Sequence, residues 1–565
     1  MTAAAYIEYE ETAEAQKTAA HESLLKRIEL RSREYPLKRS EAKALAVKTS
    51  REAMMCADDP AELNALCDSH GVRYPASEFG RACEIARLKD AGWWGRRIRT
   101  ADWRQFEERQ LRLGTVTHFV SDDIARARTW HRAAIAELLQ NIYALRDDDG
   151  ALLSLSELAA RSTSNPAVRR AEMIVRAKGL ARWRAAQGCT WSFVTITAPS
   201  KFHRLRTESG RLMPNPKWAG ATPRDTQAYL NGVWSRIRAK LQRAGIDWSA
   251  FRTVEPHADA TPHWHMCMFC QPADLQRLQA IISTYALAED GTEPGAQQHR
   301  VTFEDFRPER GGGIAEMADR CIAYLIAYVS KNIDGMKTAR GTPQQADSTF
   351  DVCDGQRTEL GPAIESARRV EAWATLWGIR QFQELGGGPV SAYRELRRIR
   401  EPLAEPEIET ARAAADSGDY QGFIGAARQI GLELWTETTL TRLSAAATAA
   451  GIPADHATPA LADIAISEGL LNRWGEPCRR WIRGVQAAGK TVLTKLHAWR
   501  VVDSDAIEAI ALERCTARYF AALLPLCTSP YFGAAEQTAH EHALAIAPGF
   551  FFSRAAPPLA LDLCQ

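Results

Sequence analysis

From the start of the chain to about residue 185, apolar positions recur at helical spacing and seldom alternate, so residues 1–185 read as a helical region. The segment from Asp122 to Leu145 carries Ile124, Trp130, Ile135, Leu138, Leu139 and Ile142 close together on a 3.6-residue repeat, which predicts one amphipathic helix. The pattern changes near residue 186. Trp191-Ser-Phe-Val-Thr-Ile-Thr197 alternates, is rich in β-branched residues and stops at Ala198-Pro199, as a strand does. A helix is predicted around Thr226 to Ala244, a second strand from His263 to Phe269, and a helix from Ile314 to Ile333 behind the flexible Gly311, Gly312 and Gly313. Strands and helices in this order predict an α+β or α/β layer over residues 186–400, followed by a mixed C-terminal region over residues 401–565.

At 565 residues the chain exceeds what one core usually organises, in keeping with three regions. Apolar content of 45% and charged content of 25% are those of a globular protein. With 71 basic and 69 acidic residues the net charge is only +2, so any nucleic-acid affinity has to come from local basic surface. Clusters at Arg96, Arg97 and Arg99, at Arg394, Arg397, Arg398 and Arg400, and at Arg479, Arg480 and Arg483 are candidates, although solvated helix faces look the same. Trp93, Trp94 and Trp103 among arginines suit base stacking, but buried indoles under snorkelling arginines are the commoner cause. Twelve cysteines without dense pairing, the early Glu8, Glu10 and Glu11, and no run of membrane-spanning length lead to the expectation of a cytosolic protein with free thiols. Cys267 and Cys270, three apart on a strand, face opposite sides and make a poor metal or redox pair.

The chemistry concentrates in the middle region. In Glu255-Pro-His-Ala-Asp-Ala-Thr-Pro-His263-Trp264-His265, strand geometry sends His263 and His265 to one face and Trp264 to the other, so two imidazoles can meet one ion. Glu255 is the best third ligand and His257 the second candidate. Downstream, Tyr324-Leu-Ile-Ala-Tyr328-Val-Ser-Lys331 places two phenols at i and i+4 on one helix face, with Lys331 on nearly the same stripe. Core histidines and amphipathic packing tyrosines would explain each element singly. Taken with the His-x-His strand upstream, the packing reading of the tyrosines is the weaker one.

These residues resemble the HUH endonucleases, in particular the replication gene A initiator proteins of bacteriophages. Phe193-Val-Thr-Ile-Thr-Ala-Pro-Ser200 is similar to the family's first motif, Pro262-His-Trp-His265 to its histidine motif, and Ala323-Tyr-Leu-Ile-Ala-Tyr-Val-Ser-Lys-Asn-Ile-Asp-Gly335 to its tyrosine motif. Fainter similarity runs through Arg369-Val-Glu-Ala-Trp373 and Trp377-Gly-Ile-Arg-Gln-Phe382. Related two-tyrosine initiators often carry a lysine directly before the second tyrosine, where this chain has Ala327, leaving Lys331 as the basic residue of the motif.

The resemblance implies an α+β protein whose central domain has an antiparallel sheet with helices. It implies that His263, His265 and Glu255 hold a divalent metal, Mg2+ or Mn2+, and that Tyr324 and Tyr328 are nucleophiles. The implied activity is nicking at a rolling-circle origin through a 5′-phosphotyrosine intermediate, with single-stranded or supercoiled origin DNA, a host helicase and a host polymerase as partners. A relaxase or transposase using the same chemistry is the nearest alternative, and a DNA-binding protein with a decayed site the next. Gly484-Val-Gln-Ala-Ala-Gly489-Lys490-Thr491 formally fits a phosphate-binding loop. Cys478 to Arg483 is a poor core strand, Thr491-Val-Leu-Thr reads as β, and about 75 residues then remain, so a hairpin turn is expected there instead of an ATPase site.

Overall fold

The structure, a computed structural model, describes residues 36–116, 118–208, 211–305, 360–438, 471–476, 481–504 and 506–507. The chain divides into two compact units, one formed by residues up to Ile135 together with Ala159–Leu496, the other by Ala136–Leu158 together with residues from His497. Among the described residues no helix is long and apolar enough to cross a membrane.

The first unit is organised by a five-stranded sheet of β1 (Thr190–Ile196), β2 (Trp248–Pro256), β3 (Pro262–Cys270), β4 (Val301–Asp305) and β5 (Phe382–Leu385), in the order β4-β1-β3-β2-β5. Every pairing in it is antiparallel. With helices before, between and after the strands, the class is α+β. All nine positions of β3 are buried, which is why its sequence reads as a nearly continuous apolar run outside the two histidines.

The helices used below are α1 (Arg39–Met55), α2 (Ala91–Leu113), α3 (Asp122–Gln140), α4 (Pro166–Ala186), α5 (Pro223–Arg243), α6 (Leu275–Ala286), α7 (Leu360–Trp377), α8 (Val390–Leu396), α9 (Pro406–Ser417) and α10 (Tyr420–Gln429). Local signals set their ends. α5 starts on a Thr222/Asp225 capping box with Pro223 as first helical residue, and α2 stops at the left-handed Gly114.

Alternation along the strands splits the interior in two. Val194, Ile196, Val254, Trp264, Met266, Met268 and Cys270 enter one core with residues of α2, α5, α6 and α7. Phe193, Phe251, Cys267 and Phe269 enter a second core with α4, α8, α9 and α10. Cys267 and Cys270 therefore face opposite sides, as their spacing predicts. In the second core α4 crosses α10 so closely that a Cβ at Gly179 would lie 2.6 Å from that of Tyr420. A third core holds α1 with Trp93 and Trp94, and the Trp94 indole donates to the Leu88 carbonyl at 2.7 Å. Those two indoles are core, not stacking platforms.

In the second unit Ile142–Arg146 pairs with both Leu152–Ser154 and Trp499–Asp503 in an antiparallel sheet. This corrects the expected single helix from Asp122 to Leu145, which ends at Gln140; Ile142 and Tyr143 instead take strand partners in Asp503 and Val502. Of the expected apolar stripe on α3 only Ile124 is buried, and Trp130 is 63% exposed.

The phosphate-loop look-alike is a hairpin. Strand Trp481–Ala487 pairs with strand Lys490–Leu493 in antiparallel register across Ala488 and Gly489, both at positive φ, and the Lys490 ammonium lies 3.0 Å from the Glu407 carboxylate.

Candidate metal centre

β2 and β3 pair so that Glu255 stands opposite His263 and Thr253 opposite His265, while β1 places Thr195 on the other flank of His265. Directly opposed residues on one sheet face keep their Cβ atoms about 5 Å apart, so register alone brings the carboxylate to the imidazoles. The result is compact: one ligand atom each from Glu255, His263 and His265 lies within 4.8 Å of the others, and the two Nε2 atoms are 2.7 Å apart. Glu255, His263 and His265 are 1%, 2% and 5% exposed. Among the described residues this is the only group of its kind.

A carboxylate and two imidazoles converging within reach of one point suit a divalent ion such as Mg2+, Mn2+ or Zn2+. The surrounding residues hold the rings in place. Thr195 Oγ1 is 3.0 Å from His265 Nδ1, and Phe193 stacks on the same ring with centroids 5.5 Å apart. Across the sheet, Trp264 donates its indole N–H to Gln227 Oε1 at 3.0 Å, and the Arg252 guanidinium lies over it at 4.0 Å. Burial pushes the Arg252 pKa down to about 10, which still leaves it charged at neutral pH.

The histidines extend beyond the triad. The His257 ring lies 3.9 Å from that of His263, and His203 lies 5.1 Å from His257. Burial pushes the His257 pKa down to about 4, so it is a neutral imidazole, and its Nε2 has no hydrogen-bond partner among the described residues. Asp259 is buried, which by itself would raise its pKa, but His203 at 3.4 Å and the Thr261 N–H hold its carboxyl well below the usual range. Glu255 thus stands in the three-residue group, whereas His257, the second candidate, sits beside it. His203 and Asp259 were not singled out from the sequence. They lie 56 positions apart, and only the fold joins them.

Tyr324, Tyr328 and Lys331 lie outside the described residues, as do Arg479 and Arg480. Arg394 and Arg398 are held by Glu172 and Glu395 at 2.6 and 3.3 Å, and Arg400 by Asp416, so that cluster is largely neutralised.

The family model described as bacteriophage replication gene A protein (GPA) matches residues 66–336, a span that contains the three donors and both tyrosines. The chain is 38% identical over 340 residues to the replication gene A protein of Escherichia phage 186, covering 58% of this chain and 44% of that protein. It is 34% identical over 357 residues to the replication gene A protein of Escherichia phage P2, covering 60% and 44%. A probable replication endonuclease from a prophage-like region of Salmonella paratyphi A is 32% identical over 359 residues, covering 60% and 42%. The chain therefore spans less than half the length of these curated relatives. No solved structure matches it. With Glu255, His263 and His265 inside the matched span and two gene A proteins above 30% identity, residues 66–336 are similar to the bacteriophage replication gene A protein family.

Proposed function

We propose that the chain is an HUH endonuclease that initiates rolling-circle replication, nicking one DNA strand at an origin and becoming joined to its 5′ phosphate through Tyr324 or Tyr328. The observation that carries this reading is the convergence of Glu255, His263 and His265 on one sheet face in a chain whose relatives bear the names replication gene A protein and probable replication endonuclease.

A divalent ion, Mg2+ or Mn2+, held by these three side chains would supply Lewis-acid polarisation of the scissile phosphate. The Tyr324 or Tyr328 phenol oxygen attacks phosphorus in line, the bond from phosphorus to the 3′ oxygen breaks, and a phosphotyrosine ester forms. The phenol gives up one proton and the departing oxygen gains one. A phenol has a pKa of about 10, so the attacking group needs help, and Lys331, close behind Tyr328 in the sequence, stabilises the phenolate. The released 3′ hydroxyl primes a host polymerase behind a host helicase in the bacterial cytosol. Closing a round requires a second cleavage while the first tyrosine is still esterified, and a second phenol at i+4 supplies it.

The test is adduct mapping on a single-stranded origin oligonucleotide with wild type, Tyr324→Phe, Tyr328→Phe and the double variant. Each single variant is expected to retain some nicking but to fail at circularisation. An adduct formed by the double variant would refute the nucleophile assignment.

A further inference from the structure

We propose that the outward face of α5 is a seat for the phosphate backbone of duplex DNA flanking the nick, formed by Gly232, Arg236, Lys240 and Arg243. The inference rests on the DNA reading above and adds a second contact surface to it.

α5 carries five cations, Arg224, Arg236, Arg238, Lys240 and Arg243, all exposed, against one carboxylate, Asp225, which is engaged in the capping box at its start. Among the described residues none of the five has an ion pair or hydrogen bond. Other exposed arginines are paired, Arg126 with Asp123 at 2.6 Å, Arg277 with Asp274 at 2.9 Å and Arg394 with Glu172 at 2.6 Å, while Arg39, Arg51, Arg73 and Arg182 stand alone among the described residues but on no helix whose cations are all unpaired. In a protein of net charge +2 this helix is a concentration of positive charge that its surroundings leave uncompensated.

Spacing orders part of that charge. Positions 232, 236, 240 and 243 are separated by four, four and three residues, so they lie along one helix stripe, and the three cations span about 10 Å at 1.5 Å per residue. Regularly spaced cations on a rigid helix suit a regularly charged polyanion.

Gly232 is the independent sign. A glycine inside a helix costs stability relative to alanine, and it is usually kept because another element packs too close for a Cβ. Here a Cβ would meet nothing within 4 Å among the described residues. Nothing described in the fold requires a missing side chain at Gly232, nor at Gly425 on α10, but at Gly232 alone of the two the opening lies on the cationic stripe and leaves room for a DNA backbone. The buried side of α5, with Leu230, Val233, Trp234 and Ile237, packs in the core of Trp264 and Met266, whereas the metal donors leave the opposite face of the sheet. Phosphates seated on α5 therefore belong to flanking duplex and not to the link being cut.

The experiment measures affinity of the full chain for a labelled origin duplex by fluorescence anisotropy over a salt series, beside nicking of a short single-stranded origin oligonucleotide. Changing Arg236, Lys240 and Arg243 together to Gln should reduce the slope of log affinity against log salt by roughly 2 to 3, about 0.9 per lost phosphate contact, with oligonucleotide nicking unchanged. Removing the same charge at Arg39, Lys43 and Arg51 on α1 should leave the slope alone. Gly232→Gln should melt higher than wild type yet bind duplex more weakly, a pair of opposite effects that a structural defect does not produce. A wild-type slope in the triple variant, an equal loss in the α1 control, or wild-type duplex binding by Gly232→Gln overturns the proposal. A wild type that never nicks but loses its salt dependence in the triple variant supports the stripe while sinking the endonuclease reading.

Discussion

Thr195 Oγ1 lies 3.0 Å from Nδ1 of His265, on the ring edge away from Nε2, the atom that meets His263. An imidazole that binds an ion through Nε2 carries its proton on Nδ1, so under the proposed metal binding the threonine oxygen would accept that N–H and favour the ligating tautomer.

Thr195→Val keeps the shape of the side chain and removes the acceptor. It is expected to weaken Mn2+ binding by about 10- to 100-fold while leaving the fold intact. Titration calorimetry with Mn2+ checks this, and unchanged affinity would remove Thr195 from the site.

His263→Ala and His265→Ala are expected to lower Mn2+ affinity at least about 100-fold and abolish nicking, while most origin binding survives. Chelation should mimic them and added Mn2+ should restore the wild type alone. Glu255→Ala is expected to be milder, since the neutral His257 imidazole stands beside His263. Wild-type nicking by either histidine variant would show the cluster to be irrelevant.

Glu107 is fully buried and accepts from Ser121 N–H and Oγ at 2.8 and 2.6 Å, yet burial outweighs these bonds and pushes its pKa from 4.5 up to about 7. The folded state binds this proton more tightly than the unfolded chain, so its contribution is complete below pH 4.5 and is lost as pH rises through 7. Glu107→Gln, which cannot ionise and can still bond Ser121, is expected to exceed wild type by roughly 1 to 3 kcal/mol at pH 8 and to lose that advantage near pH 5. Denaturant melts at the two pH values decide it, and a gap independent of pH would contradict the assignment.

Lys490→Ala should leave nicking unchanged and ATP binding undetectable, because Lys490 closes a hairpin beside Glu407. The pair is exposed, so the loss in stability should be small. Specific ATP binding that vanishes in the variant would reverse this conclusion.

What could be read from the sequence was local. Alternation around His263 and His265 placed both on one strand face, and the run from Thr226 to Ala244 located α5, although not its capped start at Thr222. Less visible was β2, since Arg252 and Glu255 interrupt its apolar pattern; Arg252 is tolerated in the interior because it lies over Trp264. Ile142 to Leu145 was read as helix because its apolar residues continue the α3 period, and the strand partner that changes its state, Trp499–Asp503, is more than 350 positions away. The basic face of α5 also escaped notice: its cations are interleaved with core residues and form no run.

The five residues between β2 and β3 set which way both histidines face. His257 N–H donates to the Thr261 carbonyl at 2.8 Å, Thr261 N–H to Asp259 Oδ1 at 3.0 Å, and the Trp373 indole to the carbonyl of Ala260, which sits at φ 70°. The turn is pinned on several sides. Adding or deleting one residue there would slide β3 by one step, turn Trp264 toward Glu255 and carry both histidines into the apolar core. The length of this turn, more than its letters, therefore guards the convergence of Glu255, His263 and His265 on one face.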